Sequence, residues 1–216
     1  VGPTERWNQA RRFRSPRAPE LPCKLLKLDH QPKQTICTAP SFGKLIPNLA
    51  TITEALTTHV SRAAEKLRKQ DSAAGSLTVF FHTNRFRKTP GNGLTAKQYA
   101  NSRTVVLPHA TSSTAELVGY AQAALQAIYA LGCEYQKVGV ILSGLVPTGH
   151  QQQALFTDAP DQRLVSLSKV VDRINHRYGR DRVRLTSAGY NPEWHHKRQH
   201  LSPGYTTQWK EILTAL

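Results

Sequence analysis

Gln152, Gln153, Ala154, Leu155 and Phe156 set two adjacent apolar side chains in a polar stretch punctuated by Pro and Gly, VPTGHQQQALFTDAPDQ. A linker that carries such anchors needs another body to bury them. The expected chemistry is knob insertion: Leu155 and Phe156 fill an apolar pocket while Gln152 hydrogen-bonds at its rim. The bland alternative folds both side chains back on their own domain. A second set suits contacts to an anionic backbone: Ser41, Lys44, Thr83, Arg85, Arg87, Lys88, Arg103 and Lys137. Their hydroxyl, ammonium and guanidinium groups donate to phosphate oxygens. The alternative for these is an ordinary solvated surface. A third set is aromatic and lies in a basic tail: Trp194, Tyr205 and Trp209. These rings either stack on bases or dock the tail onto another body; docking is the reading adopted. His195, His196 and His200 lack the H-E-x-x-H spacing and have no cysteine near them, so no metal site is expected. No Ser-His-Asp or Cys-His arrangement follows from spacing. Gly91–Gly93 lacks the helix and Lys-Ser of a phosphate loop, so no catalytic residue is expected.

The chain has 216 residues and a net charge of +15. That excess favours a polyanionic partner, nucleic acid first and an anionic membrane second. The basic residues are spread along the chain and do not form one basic amphipathic helix, which argues against the membrane. No run approaches the roughly 18 apolar residues of a membrane span, and no apolar signal core opens the chain. Cys23, Cys37 and Cys133 are odd in number and widely spaced, so neither a zinc knuckle nor a disulfide framework is expected. A reduced cytoplasm fits. The chain begins with Val1 and has no methionine, which suggests a piece of a longer reading frame.

These residues need a scaffold. Residues 1–22, rich in Arg and Pro, read as a basic, disordered arm. Residues 23–147 read as one domain. KQTICTAPSFG suits a first strand. Ile52, Ala55, Leu56, Val60, Ala63 and Leu67 then share one face of a helix over 48–70, with Gly75 as a breaker. SLTVFFHTN alternates, with Leu77, Val79 and Phe81 inward and Thr78, Phe80 and His82 outward. After a polar loop, SRTVVLPHAT is a third strand. A helix capped by Ser112 or Ser113 carries Leu117, Ala121, Ala124, Leu125 and Ile128. KVGVILSGLV is the fourth strand. The order β-α-β-β-α-β predicts an α+β domain: a four-stranded sheet with two crossover helices on one face. The open face would carry Thr78, His82, Arg103 or Thr104, Lys137 and Gly139, a platform for nucleic acid. Residues 148–162 read as a linker and 163–216 as a small extension. In it Leu164, Leu167, Val171 and Ile174 line the apolar side of a helix over 161–178, and RVRLTSAG reads as a short strand.

Four stretches together resemble the C-terminal part of UmuC-type proteins, the catalytic subunits of bacterial Y-family translesion polymerases (DNA polymerase V). PSFGK resembles the S-R-S-F-G stretch that opens the family's little-finger domain. VSRAAEKLRKQ with GSLTVFFHTNRF is similar to its first helix and second strand. YQKVGVILSGLVP followed by QQQALF looks like its last strand and its sliding-clamp-binding peptide. HLSPGYTTQWKEI resembles its C-terminal L-S-P-x-Y-T-T-x-W signature. The resemblance runs from about Glu20 to the C-terminus. It implies a little-finger fold that grips DNA near the primer terminus, with backbone amides near Gly43 as further donors. It also implies a sliding clamp, a UmuD′-type dimer and a recombinase filament as partners, within the SOS response. Pro40 stands where the family usually has Arg, which removes one phosphate contact. Gln153 replaces a frequent Leu.

The family's palm, with its metal-binding carboxylates, finds no counterpart. None of the fourteen Asp and Glu lies in an aspartate-aspartate or aspartate-glutamate palm motif, and two-metal nucleotidyl transfer needs such a cluster. No cofactor is expected in this chain; magnesium would belong to the palm. The expected function is therefore a DNA-binding and clamp-tethering module of an error-prone polymerase, not an enzyme by itself. A truncated gene, a remnant or an excised domain would each fit. Two rivals remain: a catalytically empty decoy that occupies the clamp, and a small metal-dependent nuclease using the histidine tail.

Overall fold

The structure is a computed structural model. It describes residues 32–86, 98–150, 161–190, 194–195, 202–205 and 207–212. Residues 33–216 form one compact unit. The expected basic arm lies outside the described residues.

The first strand is split in two. β1 (Ile36–Thr38) and β2 (Ser41–Ile46) flank Ala39 and Pro40, and Pro40 has no N–H to give to a ladder. Both pair antiparallel with β5 (Tyr135–Pro147). α1 (Leu49–Lys69) starts at Asn48, whose side-chain oxygen accepts the Ala50 N–H at 3.0 Å, satisfying one of the orphan donors of the first turn. All six apolar residues expected on its inner face are buried. β3 (Ser72–Thr83) begins before Gly75, which is no breaker. Gly75 sits at a bulge between Ala74 and Ser76. A Cβ there would lie 3.2 Å from the Gly144 carbonyl oxygen of the adjacent β5, so close backbone approach selects glycine. Among the described residues β4 (Ala100–Thr111) pairs only with β3, and this edge position tolerates Pro108. α2 (Thr114–Ile128) is capped by Ser113, whose hydroxyl accepts the Glu116 N–H at 3.5 Å. Its five expected apolar residues are buried as well.

The sheet order is β1-β5-β3-β4, with β2 also beside β5, and every pair is antiparallel. β1 and β3 therefore run parallel with β5 between them, and β4 and β5 run parallel with β3 between them. α1 and α2 make these two crossovers and pack against each other on one face of the sheet. The class is α+β as expected, with five strands rather than four. Leu77, Val79 and Phe81 of β3 and Val138, Val140 and Leu142 of β5 face the helices and form the core. Tyr135 closes one end of it, edge-on to Phe81 at 4.6 Å. Its hydroxyl donates to the Ala130 carbonyl at 2.9 Å, and burial pushes it up to about 12.

α3 (Gln162–Tyr178) is capped by Asp161, whose carboxylate accepts the Arg163 N–H at 2.8 Å. It packs against α1 and the start of α2 through a face turned from the stripe read from the sequence, of which Leu164, Val171 and Ile174 are half-buried. Leu167 is 57% exposed and Ser168 is buried instead. Two polar contacts set this rotation. Arg68 of α1 makes a bidentate pair with Asp172, 2.6 and 2.8 Å, and the Thr114 N–H donates to the Ser168 hydroxyl at 3.2 Å. RVRLTSAG is not a strand: its described backbone ends in a 3-10 turn, Thr186–Ala188. Val183 is held instead by the Asn175 side-chain amide, which donates to its carbonyl and accepts its N–H at 2.8 and 2.9 Å. A side chain thus supplies the two bonds that a neighbouring strand would give.

Candidate nucleic-acid interface

The sheet face away from α1 and α2 is built by register. Opposed residues on antiparallel neighbours share a face, so four rows cross the open side. Ser41, Lys137, His82 and Ala100 form one; Gly139, Phe80 and Ser102 the next. Cys37, Ile141, Thr78 and Thr104 form a third; Ser143, Ser76 and Val106 a fourth. Strand alternation alone puts these side chains outward. The question of Arg103 or Thr104 is settled: Thr104 opposes Thr78 on the open face, and Arg103 opposes Val79 on the helix side.

Six of these fourteen residues carry hydroxyls. Thr78 and Thr104 hydrogen-bond at 2.8 Å, as do Ser76 and Ser143. Basic side chains gather at one end. Lys137 and His82 sit in the first row, with Ser41 exposed beside them and exposed Arg85 just beyond β3. The His82 Nδ1 lies 3.3 Å from the Thr83 carbonyl. A carbonyl only accepts, so Nδ1 carries a proton in that contact. Phe80 lies flat across the second row, and this requires Gly139: a Cβ there would sit 2.6 Å from the ring and 2.3 Å from Ala39. An aromatic face between a hydroxyl lawn and a basic edge can stack and can donate to phosphates.

Other expected donors fare differently. Lys44 is exposed on β2, and Arg103 is exposed at the edge strand. Thr83 does not join the set. It is buried, and its hydroxyl accepts the Tyr99 N–H at 2.9 Å, closing the base of the loop that follows β3. The Gly43 amide, expected as a further donor, gives its proton to the Trp194 carbonyl at 3.3 Å. Arg87 and Lys88 lie outside the described residues.

Gln152, Leu155 and Phe156 also lie outside the described residues, but the chain on both sides of them is anchored. On the near side the Thr148 N–H and hydroxyl both donate to the Asp71 carbonyl, at 2.9 and 2.8 Å. On the far side α3 begins at its Asp161 cap.

Of the tail aromatics, Trp194 is buried against α1 of its own compact unit. It meets His59 edge-on at 5.3 Å and stacks on His195 at 4.5 Å. Tyr205 is 45% and Trp209 90% exposed. The contact leaves the Trp194 Nε1 and both ring nitrogens of His59 buried without a hydrogen-bond partner. Desolvation, then the charges of Arg62 and His195, hold His59 down at about 3. Among the described residues no three His, Cys, Asp or Glu side chains are placed to share a metal ion; His196 and His200 lie outside them. No described helix is long and apolar enough to cross a membrane. Sequence reasoning missed the Arg68–Asp172 pair, because no periodic pattern links positions 104 residues apart.

The model of the impB/mucB/samB family C-terminal domain matches residues 33–155, and a domain of unknown function (DUF4113) matches residues 166–215. Protein SamB of Salmonella typhimurium is 35% identical over 185 residues, which are 85% of this chain and 42% of that one. Protein UmuC of Salmonella typhimurium is 31% identical over 193 residues, 89% of this chain and 44% of that one. The chain thus spans less than half the length of these curated relatives. Among solved structures, an insertion ternary complex of Dbh DNA polymerase overlaps with a TM-score of 0.41 and 12% identity, over 52% of this chain and 28% of that one. That overlap is too loose to carry fold or function. The family match covers more than half of the chain and includes every strand of the sheet and both crossover helices, so the chain belongs to the impB/mucB/samB family.

Proposed function

We propose that this chain is the DNA-binding and clamp-tethering part of an error-prone translesion polymerase. One observation supports it above the rest: Ser41, Lys137 and His82 line up in one row on the helix-free face of a domain of this family. Ser41, Lys44, Arg85 and Lys137, with Arg87 and Lys88, would contact phosphates, whereas Arg103, on the helix side, would stand outside this interface. Backbone reading of this kind tolerates any sequence and many lesions. Gln152, Leu155 and Phe156 would enter the sliding clamp, and tethering there raises the local concentration of the domain at DNA without a new DNA contact. Trp194 keeps the tail on the domain, while Tyr205 and Trp209 are free to meet the polymerase body or a UmuD′-type dimer or recombinase filament. Nucleotidyl transfer and its magnesium ions belong, on this reading, to a palm outside this sequence. The setting is the cytoplasm and the SOS response.

The test is binding to primer–template DNA over a salt series, with and without a loaded clamp. About five phosphate contacts give a log–log slope near −4 to −5. Clamp-enhanced binding that disappears in Leu155→Ala/Phe156→Ala supports the full reading. A steep slope with no clamp effect removes the tethering half. Absence of DNA binding at moderate salt removes the whole.

A further inference from the structure

α3 meets the domain through Ser168, Asp172 and the half-buried Leu164 and Val171, and an outer apolar stripe is left over. Ser168 is its one fully buried residue. Leu167, Val170, Ile174 and Tyr178 follow one another at i, i+3, i+7 and i+11, a single helical stripe about 16 Å long. Leu167, Val170 and Tyr178 are 57%, 46% and 61% exposed. Next to Leu167 opens a cavity of about 310 Å³ between α1, α3 and the chain that follows, lined also by Val171, Val183, Leu185 and Trp194. The buried Trp194 indole has a donor with no acceptor.

The border of the stripe is basic. Residues 162–184 hold seven Lys and Arg against two Asp, a net of +5. Both carboxylates are already engaged, Asp172 by Arg68 and Asp181 by Arg62 at 3.9 Å. Arg163, Arg173 and Arg177 flank the apolar residues, and the helix keeps no free acid to answer them. Like charge opposes a second copy of this chain on the same surface. Nucleic acid would satisfy the arginines but would leave the aliphatic stripe and the cavity unfilled.

We propose that the outer face of α3 and the adjoining cavity form a docking surface for an acidic amphipathic helix of a partner protein. Its apolar ridge lies on Leu167, Val170 and Ile174, and its carboxylates meet the flanking arginines. This surface is on the helix side of the molecule, away from the open sheet face, so it stands whether or not that face binds DNA.

A labelled peptide of about 16 residues, Leu at i, i+3, i+4 and i+7 and Glu on the other positions, is titrated against the full chain. A scrambled peptide of the same composition and a DNA duplex are titrated beside it. The amphipathic peptide is expected to bind roughly tenfold tighter than its scramble, and Leu167→Ser/Val170→Ser to abolish that difference. The substituted side chains are exposed, so the variant folds, with a melting temperature close to the parent's. Equal binding of both peptides, or an unchanged Kd in the variant, overturns the proposal. Weaker duplex binding in the variant assigns the surface to nucleic acid and also overturns it. So does a dimer in sedimentation that the variant loses, which assigns the face to a second copy.

Discussion

His59 is a titratable ring in a place that cannot hold its charge. It lies beneath Trp194 with no hydrogen-bond partner at either nitrogen, and its folded pKa of about 3 is below the ordinary 6.5. The unfolded chain therefore takes up this proton first. The stability that neutral His59 contributes is complete above about pH 6.5 and is lost on acidification toward pH 3, at up to about 1.4 kcal/mol per pH unit. His59→Leu should flatten that slope in urea melts between pH 7 and 4; an unchanged slope would show that the ring is not the source. Arg68 is the second decisive residue. It serves Asp172, the Ser112 carbonyl at 2.6 Å and the Thr114 hydroxyl at 2.9 Å with a side chain only 6% exposed. Arg68→Met strands all three partners and should cost about 2–3 kcal/mol, measured by denaturant unfolding. A loss under about 0.5 kcal/mol, the level of a surface pair, would refute that role. Neither residue announces itself in the sequence. Helical spacing puts His59 on the inner face of α1 but shows nothing of what covers it, and it gives Arg68 no partner. Burial by Trp194, 135 positions further on, decides the first, and a distant Asp decides the second.

At the scale of elements, the parts that followed local rules were readable and those that followed tertiary geometry were not. The faces of α1 and α2 and the alternation of β3 come from apolar periodicity, which survives packing because packing is what it encodes. The phase of α3 is turned rather than lost: Leu164 and Val171 stay half-buried, but the polar pairs at Ser168 and Asp172 rotate Leu167 outward. The first strand went astray at Pro40 and the second at Gly75, where a glycine inside a strand marks a bulge rather than an end. Two glycines make the distinction measurable. Gly139→Ala must push aside Ala39 and the Phe80 ring and should cost about 1–3 kcal/mol. Gly119, exposed in the middle of α2, has nothing within 4 Å of a new Cβ, so Gly119→Ala should gain about 1 kcal/mol. Thermal melts of the pair moving in the same direction would contradict this account. On the open face, Lys137→Ala should lower the salt slope of DNA binding by about 0.9, one phosphate contact. An unchanged slope would take Lys137 out of the interface.

The whole molecule has two sides with different chemistry. One presents hydroxyls, a flat aromatic ring and a basic edge; the other presents helices, a cavity and an arginine-bordered stripe. The sheet that separates them has a consequence in time as well as in space. β5 is the strand that β1, β2 and β3 all need, and it is the last strand made. Ile36 pairs with Leu142, 106 positions later. As the chain leaves a ribosome, β3 and β4 can form a hairpin at once, but β1 and β2 have no partner until Tyr135–Pro147 has emerged. A chain stopped before Tyr135 would leave the row of Ser41, Lys137 and His82 without its middle member and the sheet without its centre. The surface proposed to grip DNA thus comes into being only when the stretch leading to Leu155 and Phe156 is about to emerge.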